Sequence, residues 1–192
     1  GGSWFSTREW DHDESAFENS PLHQGDMFQS GMVPYYILRE GETEPPAEVQ
    51  RSWDEVVRVR QLISRNIRVG DTGRQALARI VGELEDAGFA YIDRDRFDPS
   101  LDPGKTQVHL DLHQVGKGVL APRVSPMGAS WHADKKIPLL LTLGVEYMVH
   151  MPVPEWGEGR HIYYCSLHER GVVTERGVEF AAPPVAGIES IH

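Results

Sequence analysis

The chain contains a single cysteine, Cys165, among 192 residues. That excludes an internal disulfide and makes a reducing cytoplasm the expected compartment. Long apolar runs are missing too. The longest, Ile137–Val145, is broken by Pro138 and Gly144, well short of the roughly 20 residues a spanning helix needs. No signal-peptide pattern is visible, so no membrane role is expected. Basic charge is scarce, with 19 Lys and Arg against 29 Asp and Glu and a net charge of -10. Without a lysine–arginine stripe, no nucleic-acid partner is expected. Arg51, Arg58, Arg60, Arg65 and Arg68 are interleaved with acids and apolar residues and read as a solvated helix face. A GxSxG elbow, a P-loop and a dinucleotide fingerprint are all absent.

The length and a 40% hydrophobic content fit one globular domain over residues 1–192. Its first part, residues 1–24, is a loop-rich segment after a short strand at Gly1–Ser6. Asp11, His12 and Asp13 fall in that segment and read as exposed loop. Extended pieces are expected around Met27–Phe28 and Tyr35–Leu38, then a loop at Arg39–Pro46 punctuated by Gly41 and two prolines. Between Ala47 and Arg68, Val49, Trp53, Val56, Ile63 and Ile67 recur at the spacing of one helical face. A second helix is expected after a cap at Asp71 or Thr72, with a stripe of Leu77, Ile80, Val81 and Leu84, ended by Gly88. Strands follow near 139–142, 145–151, 161–168 and 171–174. The fold class is α+β, a curved and mostly antiparallel sheet covered by two main helices.

The stretch Thr106–Gly118 is the most informative. Val108, Leu110 and Leu112 alternate with His109, Asp111 and His113, so one strand face is apolar and the other carries two imidazoles and a carboxylate. These polar residues step by about 6–7 Å, twice the rise per residue, and two of them can reach a common ion. A single-metal site of His109, Asp111 and His113 is one reading; an ordinary wet strand face is the other. Glu146 lies in an otherwise buried strand, where a charge must be paired, hydrated or bound to a cation. Glu169 ends an aromatic strand and has Arg160, Arg170 and Arg176 as alternative partners. His132 and Asp134 read as loop surface, and Cys165 as an inert buried thiol.

In order along the chain come GDMF from Gly25, YYILREGETEPP before the first helix, and RVGDTGRQAL opening the second. HLDLHQVGKG follows, and then VEYMVHMPVPEWGEGRHIYYCSLHERGVVTERGVEF. From about Gly25 onward the chain resembles the pita-bread hydrolases, the family of creatinase, prolidase, aminopeptidase P and methionine aminopeptidase. The resemblance implies His113, Glu146 and Glu169 as metal ligands and His109 as a substrate-contacting residue. Glu146 doubles as the acceptor for a water proton, giving His109 and Glu146 as the catalytic candidates. The implied cofactor is a divalent metal (Mn, Co, Zn or Fe), and the implied substrate a small peptide or amide. A two-fold dimer is the expected oligomer.

The chain departs from the pattern in one region that matters. The family carries two aspartate ligands on a hairpin between the Gly-Asp turn and the Tyr-x-Leu strand. Here Asp26–Tyr36 reads DMFQSGMVPYY, which is short and holds no second aspartate, and Leu120 stands where many members place another histidine. Three of five ligands have candidates, so the expected centre is altered or incomplete, holding one ion or none. The expected function is aminopeptidase- or prolidase-type hydrolysis. The alternative is an inactive pita-bread domain that binds or scaffolds.

Overall fold

The computed structural model describes residues 24–30, 33–115, 121–127, 130–166, 169–183, 185 and 187–192. The expected Gly1–Ser6 strand, Asp11–Asp13, Gly116, Gly118 and Leu120 lie outside them. The elements in order are β1 (Met27–Ser30), β2 (Val33–Ile37), α1 (Ala47–Arg65), α2 (Gly73–Asp86), β3 (Ala90–Tyr91) and β4 (Gln107–Gln114). They continue with α3 (Ser130–Ala133), β5 (Thr142–Pro152), β6 (His161–Cys165), β7 (Glu169–Thr174), β8 (Gly177–Phe180) and β9 (Glu189–Ile191).

Helix α1 buries Val49, Trp53, Val56, Val59, Leu62 and Ile63 on one face, as its three-and-four spacing dictates. It stops at Arg65, earlier than the expected Arg68. Asn66 turns its side chain back to the Leu62 carbonyl at 2.9 Å and ends the helix, while Ile67 still reaches the core. Helix α2 begins with a reciprocal capping box. The Gln75 amide donates to Thr72 Oγ1 at 3.2 Å, and the Thr72 amide donates to Gln75 Oε1 at 2.9 Å, satisfying two otherwise orphaned donors. Ala76, Ile80 and Leu84 are its fully enclosed residues. Each such Ile or Leu contributes about 1.5–3 kcal/mol by leaving water.

The strands form two sheets rather than one. Antiparallel β1 and β2, with β9 parallel to β2, make a small sheet. In the larger one the order is β3-β4-β5-β7-β8. Strand β5 is long enough to share one edge between two partners: β6 pairs with its Met148–Pro152 half and β7 with its Thr142–Val145 half. Where the partners change, the Ser166 hydroxyl bridges the strands, accepting from the Tyr147 amide at 2.9 Å and donating to the Val145 carbonyl at 2.7 Å.

The β4–β5 register sorts the residues of the large sheet onto two faces. Val108, Leu110 and Leu112 lie opposite Val149, Tyr147 and Val145, and these belong to the core that the helices cover. The other face carries Gln107, His109, Asp111 and His113 opposite His150, Met148, Glu146 and Gly144. A local close approach also shapes this region. Gly73, the first residue of α2, sits so near the Arg123 carbonyl that an added Cβ would overlap it. Among the described residues, no helix is long and apolar enough to cross a membrane.

Candidate metal centre

On the polar face of β4 and β5, Asp111, His113 and Glu146 each present a donor atom, and these atoms lie within 4.8 Å of one another. Cross-strand pairing sets Asp111 directly opposite Glu146, and His113 follows two positions later on the same face. Side-chain exposure rises from 8% at Asp111 through 15% at Glu146 to 31% at His113, so the group is reached from the His113 side.

His113 Nδ1 faces the Gln114 carbonyl at 3.2 Å. A carbonyl only accepts, so the proton belongs on Nδ1 and the neutral ring carries its lone pair on Nε2. That nitrogen is 3.4 Å from Glu146 Oε2. With that tautomer the two atoms face each other as acceptors, an arrangement a cation between them would suit.

Asp111 is held differently. Arg123 Nε donates to its Oδ1 at 2.7 Å and Arg123 Nη2 to its Oδ2 at 2.6 Å, a bidentate fork. Burial pushes the Asp111 carboxyl up, but hydrogen bonds from Arg123 and Ser125, together with the Arg123 charge, outweigh it and hold the carboxyl below its usual range. Arg123 is delivered by Val124, which exchanges backbone hydrogen bonds with Leu112 at 2.9 and 3.0 Å. His132 supports the same segment, its ring nitrogen meeting the Ala121 carbonyl at 2.9 Å.

The structure does not bring the other two candidates into this group. Glu169 lies opposite Val145 in the β5–β7 register, which turns it to the helix-covered face. There Arg60 holds it through two contacts at 2.7 and 2.6 Å, and Phe180 lies under the Arg60 guanidinium at 3.9 Å. Its ion-pair partner is therefore none of the arginines near it in sequence. Burial raises the Glu169 carboxyl, and Arg60 offsets only part of that. His109 shares the polar face but is fully enclosed, its Nδ1 meeting the Ile92 carbonyl at 3.1 Å. Of the strand-based reading, Asp111 and His113 come together, with Glu146 in the place given to His109. Nothing in the local sequence marked Arg123 as the partner of Asp111.

The donor set bears directly on the metal. One imidazole and two carboxylates suit a single borderline divalent ion, and a carboxylate holding a guanidinium still has lone pairs to offer. Arg123 already neutralises one of the two carboxylates, and among the described residues no donor from the β1–β2 hairpin joins the group.

No family profile and no curated protein matches the chain. Solved structures do. The chain shares 19% identity with X-Pro aminopeptidase from Thermotoga maritima, covering 86% of this chain and 37% of that one at a TM-score of 0.48. Methionine aminopeptidase from Thermotoga maritima gives 17% identity, 83% and 64% coverage and 0.48. Prolidase from Thermococcus sibiricus gives 12% identity, 90% and 42% coverage and 0.51. The chain thus spans about two-fifths of the length of the X-Pro aminopeptidase and prolidase chains. At these identities the likeness shows the fold alone: the chain has a pita-bread-like fold, similar to that of the Thermococcus sibiricus prolidase.

Proposed function

We propose that this chain is a metal-dependent hydrolase of a small peptide or amide, working with one divalent ion rather than two. The observation that carries the reading is the grouping of three donor atoms, from Asp111, His113 and Glu146, within 4.8 Å of one another, with His113 Nε2 3.4 Å from Glu146 Oε2. His113 and Glu146 would hold the ion and Asp111 would complete its donor set. Mn, Fe, Co and Zn all accept such mixed nitrogen and oxygen ligands. The ion, when bound, supplies Lewis acidity toward a carbonyl and lowers the pKa of water.

The residues themselves do the rest. Glu146, partly open and beside the imidazole, is the group that takes up a proton. Arg123 fixes the direction of Asp111 and supplies one positive charge to the group. His109 is enclosed, so its place beside a substrate requires the covering over that face to open. Glu169 takes no part in this version of the centre, because its charge is committed to Arg60.

The test is metal content after purification with Mn²⁺, Co²⁺ or Zn²⁺, followed by hydrolysis of Xaa-Pro and N-terminal-Met peptides. The expected result is an ion lost in His113→Ala, with turnover lost alongside it. A chain whose metal content and turnover are unchanged by His113→Ala refutes the reading. Absence of both metal and turnover favours the second reading, a binding or scaffold module. One observation supports that alternative: the Arg123 guanidinium already provides positive charge within the donor group.

A further inference from the structure

His150 stands four positions beyond Glu146 on the same face of β5, about 13 Å along the strand. It is 5% exposed, and among the described residues neither ring nitrogen has a hydrogen-bond partner. A buried imidazole left so is unusual, because nearly all buried polar atoms find partners. Its surroundings are rich in chemistry. The β5–β6 register places Tyr163 opposite His150 and His161 opposite Pro152, and the segment after β3 brings Asp95 and Phe97 against them.

His150 Nε2 is 3.5 Å from Asp95 Oδ1. The other Asp95 oxygen accepts the Tyr163 hydroxyl at 2.6 Å, which fixes the carboxylate with Oδ1 toward His150. His161 Nδ1 meets the Gly159 carbonyl at 3.2 Å, so its proton sits there and Nε2 carries the lone pair. A ring nitrogen donating to a backbone carbonyl, and a carboxylate oriented by a hydroxyl, are the supporting contacts that metal ligands usually have. Burial, against the Gly159 hydrogen bond, holds the His161 imidazole below its usual range. The two imidazole centres are 5.3 Å apart. Two imidazoles on one tetrahedral ion have centres about 5 Å apart, while the donor atoms of Asp95, His150 and His161 are not gathered within 4.8 Å as those of the Asp111 group are.

We infer that Asp95, His150 and His161 form a second divalent metal site, of the zinc class, with Tyr163 as the positioning residue for Asp95. The site is separate from the Asp111 group and does not depend on the proposed hydrolase activity. Its donors are set wider than those of the Asp111 group, and binding draws the half-buried His161 ring inward from its stack on Phe97, 4.3 Å away. Asp95, 32% exposed, gives the ion its route from solvent. Two nitrogens and one oxygen select Zn²⁺, Co²⁺, Ni²⁺ or Cu²⁺ over Mg²⁺ and Ca²⁺.

The experiment is titration of the full chain carrying His113→Ala, which silences the first group, with ZnCl₂ by calorimetry and with Co²⁺ by visible absorption. The expected result is one remaining Zn²⁺ per chain and a Co²⁺ spectrum of mixed nitrogen and oxygen ligation. Adding His161→Ala abolishes the Co²⁺ band. Adding Tyr163→Phe weakens binding by about 10–100-fold. His150→Gln removes binding where the variant keeps its far-UV spectrum; His161→Ala and Tyr163→Phe decide the matter if it does not fold. The inference is overturned if the His113→Ala chain binds no Zn²⁺, or if His161→Ala leaves affinity and spectrum unchanged. Failure of the hydrolase reading shows separately, as an unaltered metal content and turnover on His113→Ala alone.

Discussion

Glu146 lies opposite Asp111 in the β4–β5 pairing, whereas Glu169 lies opposite Val145 in the β5–β7 pairing, so the two glutamates project from opposite faces of one sheet. The consequence is a division of labour. Glu146 faces His113, and Glu169 secures α1 to the sheet through Arg60.

Arg60 and Glu169 are 11% and 13% exposed, so removing one partner strands a buried charge. Arg60→Met is expected to lower stability by about 3–5 kcal/mol. The double change Arg60→Met with Glu169→Leu should recover most of that loss, because an apolar pair avoids the desolvation cost. Urea unfolding of the two variants and the parent decides it. A single variant as stable as the parent would show that the pair does not hold the helix.

The Arg123 fork makes a pH-dependent contribution. With its folded pKa below the unfolded value of about 3.9, Asp111 adds stability that is present above pH 4 and lost as pH falls through the folded pKa. Arg123→Met leaves burial opposed only by the Ser125 hydrogen bond and the His113 charge, so this acid-side contribution is largely lost. The gap between parent and variant should be about 3 kcal/mol at pH 7 and shrink toward pH 3. Urea midpoints at pH 7, 5 and 3 measure it, and a gap that stays constant would contradict the argument.

Gly73 leaves no room for a side chain against the Arg123 carbonyl. Gly73→Ala should displace the strand segment that delivers the guanidinium, costing about 1–3 kcal/mol as overpacking does. If the displacement reaches Asp111, the low-pH behaviour above should weaken in the same variant. Thr72→Ala serves as the control, losing about 1 kcal/mol from the helix cap without touching the acid limb.

The helices and β4 were legible because local pattern determines them. The Val49-to-Ile63 spacing gives α1, Thr72 caps α2, and the alternation of His109, Asp111 and His113 with apolar neighbours gives a two-faced strand. Short strands were less visible: β3, β8 and β9 have only two to four residues each, too few to show a period. The placement of Glu169 was not legible for a different reason. The residue opens β7 instead of ending the strand before it, and its face is set by pairing with Val145, a choice of register no local pattern records. Arg123 met Asp111 for the same reason, through the bridge between Val124 and Leu112.

Strand β4 is enclosed on both sides for most of its length, with Gln107 through Leu112 all buried. Inserting or deleting one residue there would exchange the rows, sending His109 and Asp111 toward the helices and Val108, Leu110 and Leu112 toward the polar side. Descendants of this chain can therefore change length in the 93–105 loop, while the strand itself can lengthen or shorten only in steps of two.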